Sequence, residues 1–398
     1  MTKIKVIDSI MGSGKTEYAI KLMNEADSNQ KFIYITPFLN EVNRIKESVS
    51  NRKFHEPQAK YGEGSKYKHF KKLITSGVNI VTTHALFGLA DDELLELLQY
   101  DKYTLIIDEV MDVINLIELK KSDLKTLKDS NLIEIDDNKL IHWIGPEDYE
   151  GRYQDVKDYS ISGNLFFIRN SVMAWNFPAK IFSSFEAVYL MTYIFEGQLQ
   201  KYYYDLHNIE YEYYSVHDKE LIPYTNQYEN RNKLKQLISI YNGKLNDIGD
   251  KDFSLSSTWF DKNKNSGKVK ELKNNLYNYY QNIIKAKSDY FLWTVFKDYK
   301  ISLRGEGFSN SYVSWNIRAT NNYIDKNVLA FCLNRYLNPV ELGFFQDHGI
   351  KVDIDLLALT DMLQWIFRST IRKGESIKIY IPSGRMRNLL IEYLDGKI

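Results

Sequence analysis

A glycine-rich turn near the N-terminus joins a short apolar segment to a longer amphipathic one. The turn reads Ser9-Ile10-Met11-Gly12-Ser13-Gly14-Lys15-Thr16, and we predict a strand over 3–7 before it and a helix over 16–24 after it. Glycines allow successive backbone N–H groups to point into such a turn, and the N-terminus of the following helix adds positive potential. The pattern therefore predicts a phosphate-binding loop, which we define as residues 9–16.

The side chains of the phosphate loop indicate how it would hold a nucleotide. Lys15 would reach the β- and γ-phosphates, and the Thr16 hydroxyl would bind Mg²⁺. The backbone amides that would surround the phosphates belong to Gly12, Ser13 and Gly14. The alternative is a chance match in a protein that binds no nucleotide. A lysine in a glycine turn gains little from packing, which favours the nucleotide interpretation.

Two adjacent carboxylates follow a second apolar strand. The segment Leu105-Ile106-Ile107 ends in Asp108 and Glu109. In a nucleotide site Asp108 would hold Mg²⁺ and Glu109 would polarise the attacking water. The alternative is an acidic helix N-terminus, a position that Asp and Glu also favour.

Uninterrupted apolar segments alternate with helical patterns through the first half of the chain. These segments are 32–35, 79–82, 104–107 and 187–191. Strands that are apolar on both faces belong to parallel sheets covered by helices on both sides. The 398 residues are enough for about two or three domains. We predict an α/β fold with two tandem domains, 1–200 and 201–398, and an irregular polar insertion at about 131–158.

The second half continues the alternation less regularly. We predict strands at 209–216, 252–258 and 377–381, and helices at 328–336 and 360–372.

Composition excludes several classes of protein. The chain has 52 basic and 52 acidic side chains, so a nucleic-acid surface would have to be local. A single cysteine, Cys332, excludes an intramolecular disulfide framework and a cysteine-rich zinc site. The sequence contains no apolar run of membrane-spanning length and no secretory signal pattern. We therefore expect a cytoplasmic protein with no membrane partner.

Together, these motifs resemble those of superfamily 2 helicases. The matching stretches are short and scattered, but they lie between residues 4 and 387. The resemblance implies two RecA-like P-loop domains with parallel sheets, an inter-domain cleft for ATP and Mg²⁺, and single-stranded nucleic acid bound across both domains. It also implies that Thr192 and Tyr193, at the end of a strand, occupy the position of the motif that couples hydrolysis to movement. The set also looks like the small DEAD/DEAH-type helicases of tailed bacteriophages.

The resemblance implies nucleic-acid contacts at the ends of several segments. Asn, Arg and Thr side chains in such loops suit phosphate and sugar contacts. The positions are Thr36 and Pro37, Thr83 and His84, Thr258, and Asn316, Arg318, Thr320 and Asn321. For a threonine that ends a strand, a simple capping role is the alternative.

A glutamine and two arginines near the C-terminus resemble the helicase motif that acts on the γ-phosphate. Gln364 and Arg368 are four residues apart, so in a helix they would share one face, and Arg372 follows. Either arginine would stabilise charge on the transferring phosphoryl group. Phe367 replaces the usual glycine and Arg372 falls one position late, so which arginine acts stays open. Solvated helix arginines are the alternative.

Lysines between 60 and 72 alternate with aromatic residues. Cations beside stacking aromatics are typical of sequence-independent single-strand binding, although a solvated helix face fits equally well. Trp293 and Trp315 would either stack on bases or lie in the core.

The sequence-based hypothesis is an ATP-dependent helicase or translocase on single-stranded DNA, with DNA favoured over RNA. We expect a role in phage DNA replication or recombination, with other replication proteins as possible partners. One alternative is a viral terminase-type packaging ATPase and nuclease, for which Asp353 and Asp355 are candidate metal ligands. The other is a module that binds nucleotide without hydrolysing it.

Overall fold

The structure is a computed structural model that describes residues 3–169, 172–316 and 322–398. Its contacts divide the chain into two compact units. The first unit comprises Met1–Ser9, Ser13–Thr225 and Pro339–Val352, and the second comprises Ile10–Gly12, Asn226–Asn338 and Asp353–Ile398.

The strands of the described residues are numbered in chain order. They are β1 (Ile4–Asp8), β2 (Lys31–Thr36), β3 (Phe54–His55), β4 (Asn79–Thr83), β5 (Tyr103–Asp108), β6 (Ile114–Glu118), β7 (Ile133–Ile135), β8 (Ile141–Trp143), β9 (Leu165–Arg169), β10 (Val172–Asn176), β11 (Ala187–Thr192), β12 (Tyr211–His217), β13 (Glu220–Pro223), β14 (Ile238–Ile240), β15 (Phe291–Thr294), β16 (Val328–Phe331) and β17 (Ile377–Tyr380).

The α-helices are numbered in the same way. They are α1 (Lys15–Glu25), α2 (Leu39–Ser48), α3 (Lys66–Thr75), α4 (His84–Phe87), α5 (Asp92–Tyr100), α6 (Lys121–Asp129), α7 (Gln154–Ile161), α8 (Lys180–Ser183), α9 (Leu199–Leu206), α10 (Arg231–Leu237), α11 (Ser257–Asn263), α12 (Gly267–Tyr277), α13 (Lys300–Leu303), α14 (Pro339–Asp347), α15 (Ile354–Ile366) and α16 (Gly384–Leu394).

The first unit is built on an eight-stranded sheet with the order β13-β12-β1-β11-β5-β2-β4-β3. All neighbouring strands are parallel except β12 and β13, which form an antiparallel pair at one edge. The central strands β2 and β5 are buried over nearly their whole length. This burial explains their continuous apolar sequences and confirms the predicted parallel α/β fold.

A smaller antiparallel layer lies between β5 and β11 in the sequence. Strands β6, β10 and β9 form a three-stranded sheet, and β7 and β8 form a hairpin. The segment 131–158, which we predicted to be irregular, therefore contains a hairpin and the start of α7.

The second unit has a four-stranded parallel sheet with the order β14-β17-β16-β15. Its core includes Trp293, which is fully buried and donates its indole N–H to the Phe308 carbonyl at 2.8 Å. Of the two roles that the sequence left open for Trp293, the structure favours the core role.

Several predicted elements differ from the structure. The helix predicted at 328–336 is wrong, because Val328–Phe331 form β16, whose apolar run is buried and has no helical period, and 332–336 form neither helix nor strand. The strand predicted at 252–258 is also wrong, because this segment is a turn followed by α11. The strand predicted at 209–216 exists as β12, but it pairs with β1 in the sheet of the first unit.

The close approach of Gly249 to another segment of the second unit provides a test of this fold. An alanine Cβ at this position would lie 2.0 Å from the Pro382 carbonyl oxygen and 2.9 Å from the Ser383 nitrogen. Both are backbone atoms, so Gly249→Ala should destabilise the second unit by about 1–3 kcal/mol or more. Gly267→Ala is the matched control, because no atom lies within 4 Å of its Cβ and alanine is the better helix former. Urea unfolding midpoints measure both; equal midpoints would contradict the packing of this segment.

Candidate functional site

The phosphate loop has the backbone that its sequence predicts. The chain leaves β1 at Asp8, and α1 begins at Lys15 with Gly14 in the cap position. Gly12 and Gly14 have φ angles of +84° and +94°, which residues with a side chain rarely adopt. The glycines are therefore required by the course of the backbone, and they lead it into a helix N-terminus, which favours anions.

Lys15 is buried within the first unit. Its side chain is 9% exposed, and its ammonium group donates a hydrogen bond to the Ser9 carbonyl, at the start of the loop. A buried ammonium needs acceptors close to it. The Ser9 carbonyl is one such acceptor, and the phosphates predicted for this site would be further acceptors.

The carboxylate pair follows β5 at the same edge of the sheet. Glu109 has a φ angle of +67°, an uncommon conformation for a residue with a side chain, and its N–H donates to the Met191 carbonyl at 2.9 Å. Backbone strain of this kind is often found at functional sites. The hydrogen bond to β11 fixes the backbone from which the Glu109 side chain projects.

Asp108 has an altered acidity. Burial, with a smaller contribution from the Glu109 carboxylate, raises the pKa of Asp108 to about 7, while the Tyr34 hydroxyl and the Lys15 ammonium lower the pKa. The Tyr34 hydroxyl is buried and makes no hydrogen bond of good geometry with the described residues, so it acts by its proximity to the carboxyl. Lys15 and Asp108 therefore share one electrostatic environment.

Strand β11 lies between the strand of the phosphate loop and the strand of the carboxylate pair, and it ends at Thr192. Buried hydroxyl groups collect around this edge: those of Ser13, Thr36 and Thr192 have no hydrogen-bond partner among the described residues. Unpaired buried hydroxyls are costly, so such a group indicates a polar ligand. Carboxylate and hydroxyl oxygens are also the donors that Mg²⁺ prefers, so the residues present fit the predicted nucleotide and metal.

The predicted nucleic-acid contacts of the first unit lie at the ends of β2 and β4. Thr36 is fully buried at the end of β2, and Pro37 follows it. The Thr83 hydroxyl accepts a hydrogen bond from the Leu86 N–H at 3.4 Å, and His84 is the first residue of α4. Thr83 thus has the capping role that the sequence left open, and its contact with nucleic acid stays a prediction.

Three of the four lysines of α3 are paired with acidic residues. Lys68 and Lys72 form ion pairs with Glu63, and Lys71 pairs with Asp91 and with Glu93. These pairs neutralise much of the charge on this helix, which favours the solvated-face interpretation.

The predicted γ-phosphate residues do not share a helix face. Gln364 lies in α15, which ends at Ile366, so Arg368 follows the helix and Arg372 lies in a separate 3₁₀ turn. The expectation of one common face is therefore wrong. Arg368 is 7% exposed and Arg372 is exposed. The side-chain amide nitrogen of Gln364 is buried and has no hydrogen-bond partner among the described residues.

The remaining predicted contacts lie in the second unit. Thr258 is in the first turn of α11, and Asn316 is exposed. Arg318, Thr320 and Asn321 lie outside the described residues.

Aromatic and arginine side chains gather near the ends of β16 and β17. The Arg385 guanidinium lies 4.2 Å from the centroid of the Tyr336 ring, and the Phe253 ring lies 5.5 Å from that ring. Phe253 is 69% exposed. We call this group the Phe253–Tyr336–Arg385 stack. Beside it in the sequence, Arg335 lies 4.6 Å from the centroid of the Trp315 ring.

Sequence reasoning missed several residues at these sites. Asp8 is a buried acid at the end of β1, and the Gln200 side-chain oxygen accepts from the Met111 N–H at 2.9 Å, just after the carboxylate pair. An acid directly before the phosphate loop was the available signal for Asp8. The Phe253–Tyr336–Arg385 stack had no signal, because its members are far apart in the chain.

Asp353, the candidate ligand for a nuclease metal, has a structural role. Its carboxylate caps α15 by accepting hydrogen bonds from the Asp355 and Leu356 N–H groups at 3.1 and 2.9 Å. In the described parts of the chain, no group of three or more His, Cys, Asp or Glu side chains is arranged to hold a metal ion. In the same parts, no helix is both long and apolar enough to cross a membrane.

Comparison with known proteins first gives the class. Residues 2–114 match the family described as "Type III restriction enzyme, res subunit". The matched residues include both the phosphate loop and the carboxylate pair, so the first part of the chain is similar to this family over its candidate nucleotide site.

The particular family follows from a full-length relative. The chain is 45% identical over 412 residues to the "SPbeta prophage-derived uncharacterized protein YonV" of Bacillus subtilis (strain 168), and the match covers all of both chains. Residues 114–175 match the YonV middle domain, and residues 232–394 match the YonV C-terminal Rossmann-like domain. The chain belongs to the YonV family.

Similarity to solved structures is weaker. Xpd4 of S. tokodaii aligns with a TM-score of 0.45 at 12% identity, over 100% of this chain and 94% of that chain. The DUF1998 helicase MrfA bound to DNA and AMPPNP aligns with a TM-score of 0.35 at 12% identity, over 99% of this chain and 48% of that chain.

The raised pKa of Asp108 predicts how stability depends on pH. An unfolded aspartate ionises near pH 4 and the folded one near pH 7, so between these values the folded state holds the extra proton and stability falls as pH rises. Asp108→Asn removes this dependence. Without Mg²⁺ and nucleotide at pH 8, the variant should be more stable than the parent by roughly 1–4 kcal/mol, nearer the lower value because residue 108 keeps partial solvent access.

Urea unfolding at pH 5 and pH 8 measures this effect. Mg²⁺ with nucleotide should stabilise the parent at pH 8 more than it stabilises the Asn variant, which lacks one proposed metal ligand. A difference in free energy of unfolding between the parent and Asp108→Asn that is the same at both pH values would contradict the assigned pKa.

Proposed function

We propose that this protein is an ATP-dependent nucleic-acid helicase or translocase. The observation that carries the proposal is the shared environment of Lys15 and Asp108. The Lys15 ammonium of the phosphate loop lowers the pKa of Asp108, which lies two strands away at the same edge of the sheet, beside buried hydroxyls that have no partner among the described residues. A triphosphate with a divalent cation would bring charges of both signs to this edge, together with oxygens that could bond to the buried hydroxyls.

In this proposal the chain's residues have distinct roles. Gly12, Ser13 and Gly14 donate backbone N–H groups to the phosphates, and Lys15 moves its hydrogen bond from the Ser9 carbonyl to the phosphate oxygens. Thr16 and Asp108 hold Mg²⁺, which would neutralise charge on the phosphates when bound.

Glu109 orients and deprotonates the attacking water. Its backbone lies in the left-handed region and donates a hydrogen bond to β11, so the point from which the carboxylate projects is fixed. Positioning of this kind is a main source of rate in phosphoryl transfer, because the reaction asks for little covalent chemistry from the protein.

We further propose that Gln364 with Arg368 or Arg372 from the second unit stabilises charge on the γ-phosphate. The buried side-chain nitrogen of Gln364 without a partner supports a polar ligand for this residue. An arginine acting in this way contributes about 10³–10⁵ in rate in enzymes where it has been measured.

The proposed nucleic acid is a single strand, with DNA favoured over RNA. The Phe253–Tyr336–Arg385 stack offers an exposed aromatic ring backed by a second ring, and such rings stack on bases in sequence-independent single-strand binding. The Arg385 guanidinium behind them is also ion-paired with Asp355, so the rings carry this part of the proposal. The proposed contacts with the phosphate backbone are those of Thr36, Pro37, Thr83, His84, Thr258, Asn316, Arg318, Thr320 and Asn321.

The prophage origin in the relative's name supports a role in phage DNA replication or recombination inside the bacterial host. A terminase-type nuclease has weaker support, because Asp353 serves as a helix cap.

Removing the Lys15 ammonium tests the phosphate-loop assignment. Lys15→Ala should lower kcat for ATP hydrolysis by about 100-fold or more, because the variant lacks the positive charge that is positioned to stabilise the phosphates. Lys21→Ala is the matched control: Lys21 lies on the same helix and pairs with Glu220 at the surface, so its loss should leave kcat unchanged. The assay measures phosphate release with Mg²⁺, with and without single-stranded DNA or RNA. Equal kcat for Lys15→Ala and the parent would refute the assignment, and tight ATP binding without turnover in the parent would indicate the non-hydrolysing module.

Removing the exposed ring of Phe253 tests the nucleic-acid surface. Base stacking on an aromatic ring contributes about 1–3 kcal/mol, so Phe253→Ala should weaken single-stranded DNA binding by about 5- to 100-fold while leaving the DNA-free ATPase rate unchanged. Tyr290→Ala is the control, since Tyr290 is a 47% exposed aromatic in the same unit and has no arginine stacked on it in the contacts described. Fluorescence anisotropy with a labelled oligonucleotide measures both; the same affinity for both variants would exclude the stack as a base-binding surface.

A further inference from the structure

Asp8 links the strand of the phosphate loop to the loop that follows β11. It is the last residue of β1 and is 5% exposed. Its carboxylate accepts hydrogen bonds from the Ile194 and Phe195 N–H groups at 2.7 and 2.8 Å. Hydrogen bonds to a buried carboxylate are among the stronger ones in proteins, so the two loops are firmly joined.

The loop after β11 (residues 193–198) needs such support. Ile194 has a φ angle of +51°, which is a genuine outlier for a β-branched residue. A conformation of this kind is strained and persists only where its surroundings enforce it. The carboxylate of Asp8 binds the N–H of this same residue, so it is well placed to enforce the strain.

The next residue, Ser9, extends the connection to Lys15. The Ser9 N–H donates to the Thr192 carbonyl at 3.1 Å, and its hydroxyl accepts from the Val216 N–H at 2.9 Å. Its carbonyl accepts from the Lys15 ammonium. The Asp8–Ser9 pair is thus bonded to the lysine of the phosphate loop on one side and to the ends of β11 and β12 on the other.

The far side of the loop after β11 is also anchored. Glu196 accepts hydrogen bonds from the hydroxyls of Tyr213 and Tyr202, at 2.5 and 2.8 Å. The Phe195 ring lies 5.6 and 5.5 Å from the rings of Tyr204 and Tyr211. With one end packed into this aromatic cluster, the part of the loop that can respond is the strained segment held by Asp8.

We propose that Asp8 is a positioning residue that couples occupancy of the phosphate loop to the conformation of the loop after β11. This inference rests on the proposed ATPase function. When phosphates draw the Lys15 ammonium away, the Ser9 carbonyl loses its hydrogen-bond donor, and the Asp8–Ser9 backbone is the segment that adjusts. The two hydrogen bonds from Asp8 transmit that adjustment to Ile194 and Phe195, where stored strain makes a second conformation accessible.

Asp8→Asn separates coupling from folding. An amide of the same shape has one acceptor oxygen in place of two and no charge, so the hold on the Ile194 segment is weakened while the packing is kept. We expect the ratio of the DNA-stimulated to the unstimulated ATPase rate to fall by about tenfold, with the KM for ATP changed by no more than about twofold. Asp8→Glu, which keeps the charge, should restore part of the ratio.

Asp123→Asn is the matched control. Asp123 is also a buried acid of the first unit, 8% exposed, and its carboxylate accepts hydrogen bonds from Arg152 at 2.9 Å and from the Tyr153 hydroxyl at 3.5 Å, in the segment between β5 and β11. Its ratio should equal that of the parent. If Asp8→Asn lowers stimulated and unstimulated rates in parallel, or leaves the ratio unchanged, Asp8 is structural and the inference is overturned.

Hydrogen exchange gives a second measurement that does not depend on turnover. In the parent, a non-hydrolysable ATP analogue with Mg²⁺ should change the exchange rates of the Ile194 and Phe195 amides, and in Asp8→Asn these amides should exchange faster and respond less. A parent that binds no nucleotide would refute the proposed function and the inference together. A parent that hydrolyses ATP with DNA stimulation, but whose Ile194 and Phe195 amides do not respond to the analogue, would refute the inference alone.

Discussion

The position of β1, hydrogen-bonded to parallel strands on both sides, is the constraint on which the rest of the first unit depends. Because β11 and β12 both pair with β1 in register, the chain can leave β1 only in the middle of the carboxyl edge of the sheet. That exit fixes the phosphate loop next to the end of β11, and the pairing of β11 with β5 places the carboxylate pair one strand further along. Three separated segments of sequence are thereby brought to one edge.

This edge holds a buried cation and an acid of altered pKa. The Lys15 ammonium is buried against a backbone carbonyl, and burial, with a smaller contribution from Glu109, raises the pKa of Asp108. Such an arrangement costs stability in the absence of ligand. A triphosphate with its divalent cation offers partners to both groups, so the same burial that destabilises the free protein favours the bound one. The strained Glu109 and Ile194 backbones belong to the same edge, which suits a site that changes conformation when it is occupied.

Sequence was sufficient where the chemistry is local, and insufficient where it depends on pairing between distant strands. Gly12, Gly14 and Lys15 are informative because a short stretch of backbone requires them. Strand β12 could not be assigned to the first sheet, because its own residues do not indicate that it pairs with β1. Strand β16 was mistaken for a helix because an apolar run buried on both faces carries no period. Asp8 was not recognised for a similar reason, because its partners Ile194 and Phe195 are nearly two hundred residues away in the chain. They bind Asp8 through backbone N–H groups, which do not depend on residue type and so cannot be predicted from the sequence.

The most direct test of the central claim is a crystal structure with a non-hydrolysable ATP analogue and Mg²⁺. We predict that the β- and γ-phosphates lie in the loop between β1 and α1, and that the Lys15 ammonium has left the Ser9 carbonyl for a phosphate oxygen. We also predict that Mg²⁺ lies between the Thr16 hydroxyl and the Asp108 carboxylate. An analogue bound elsewhere on the molecule, with Lys15 still bonded to Ser9, would contradict it.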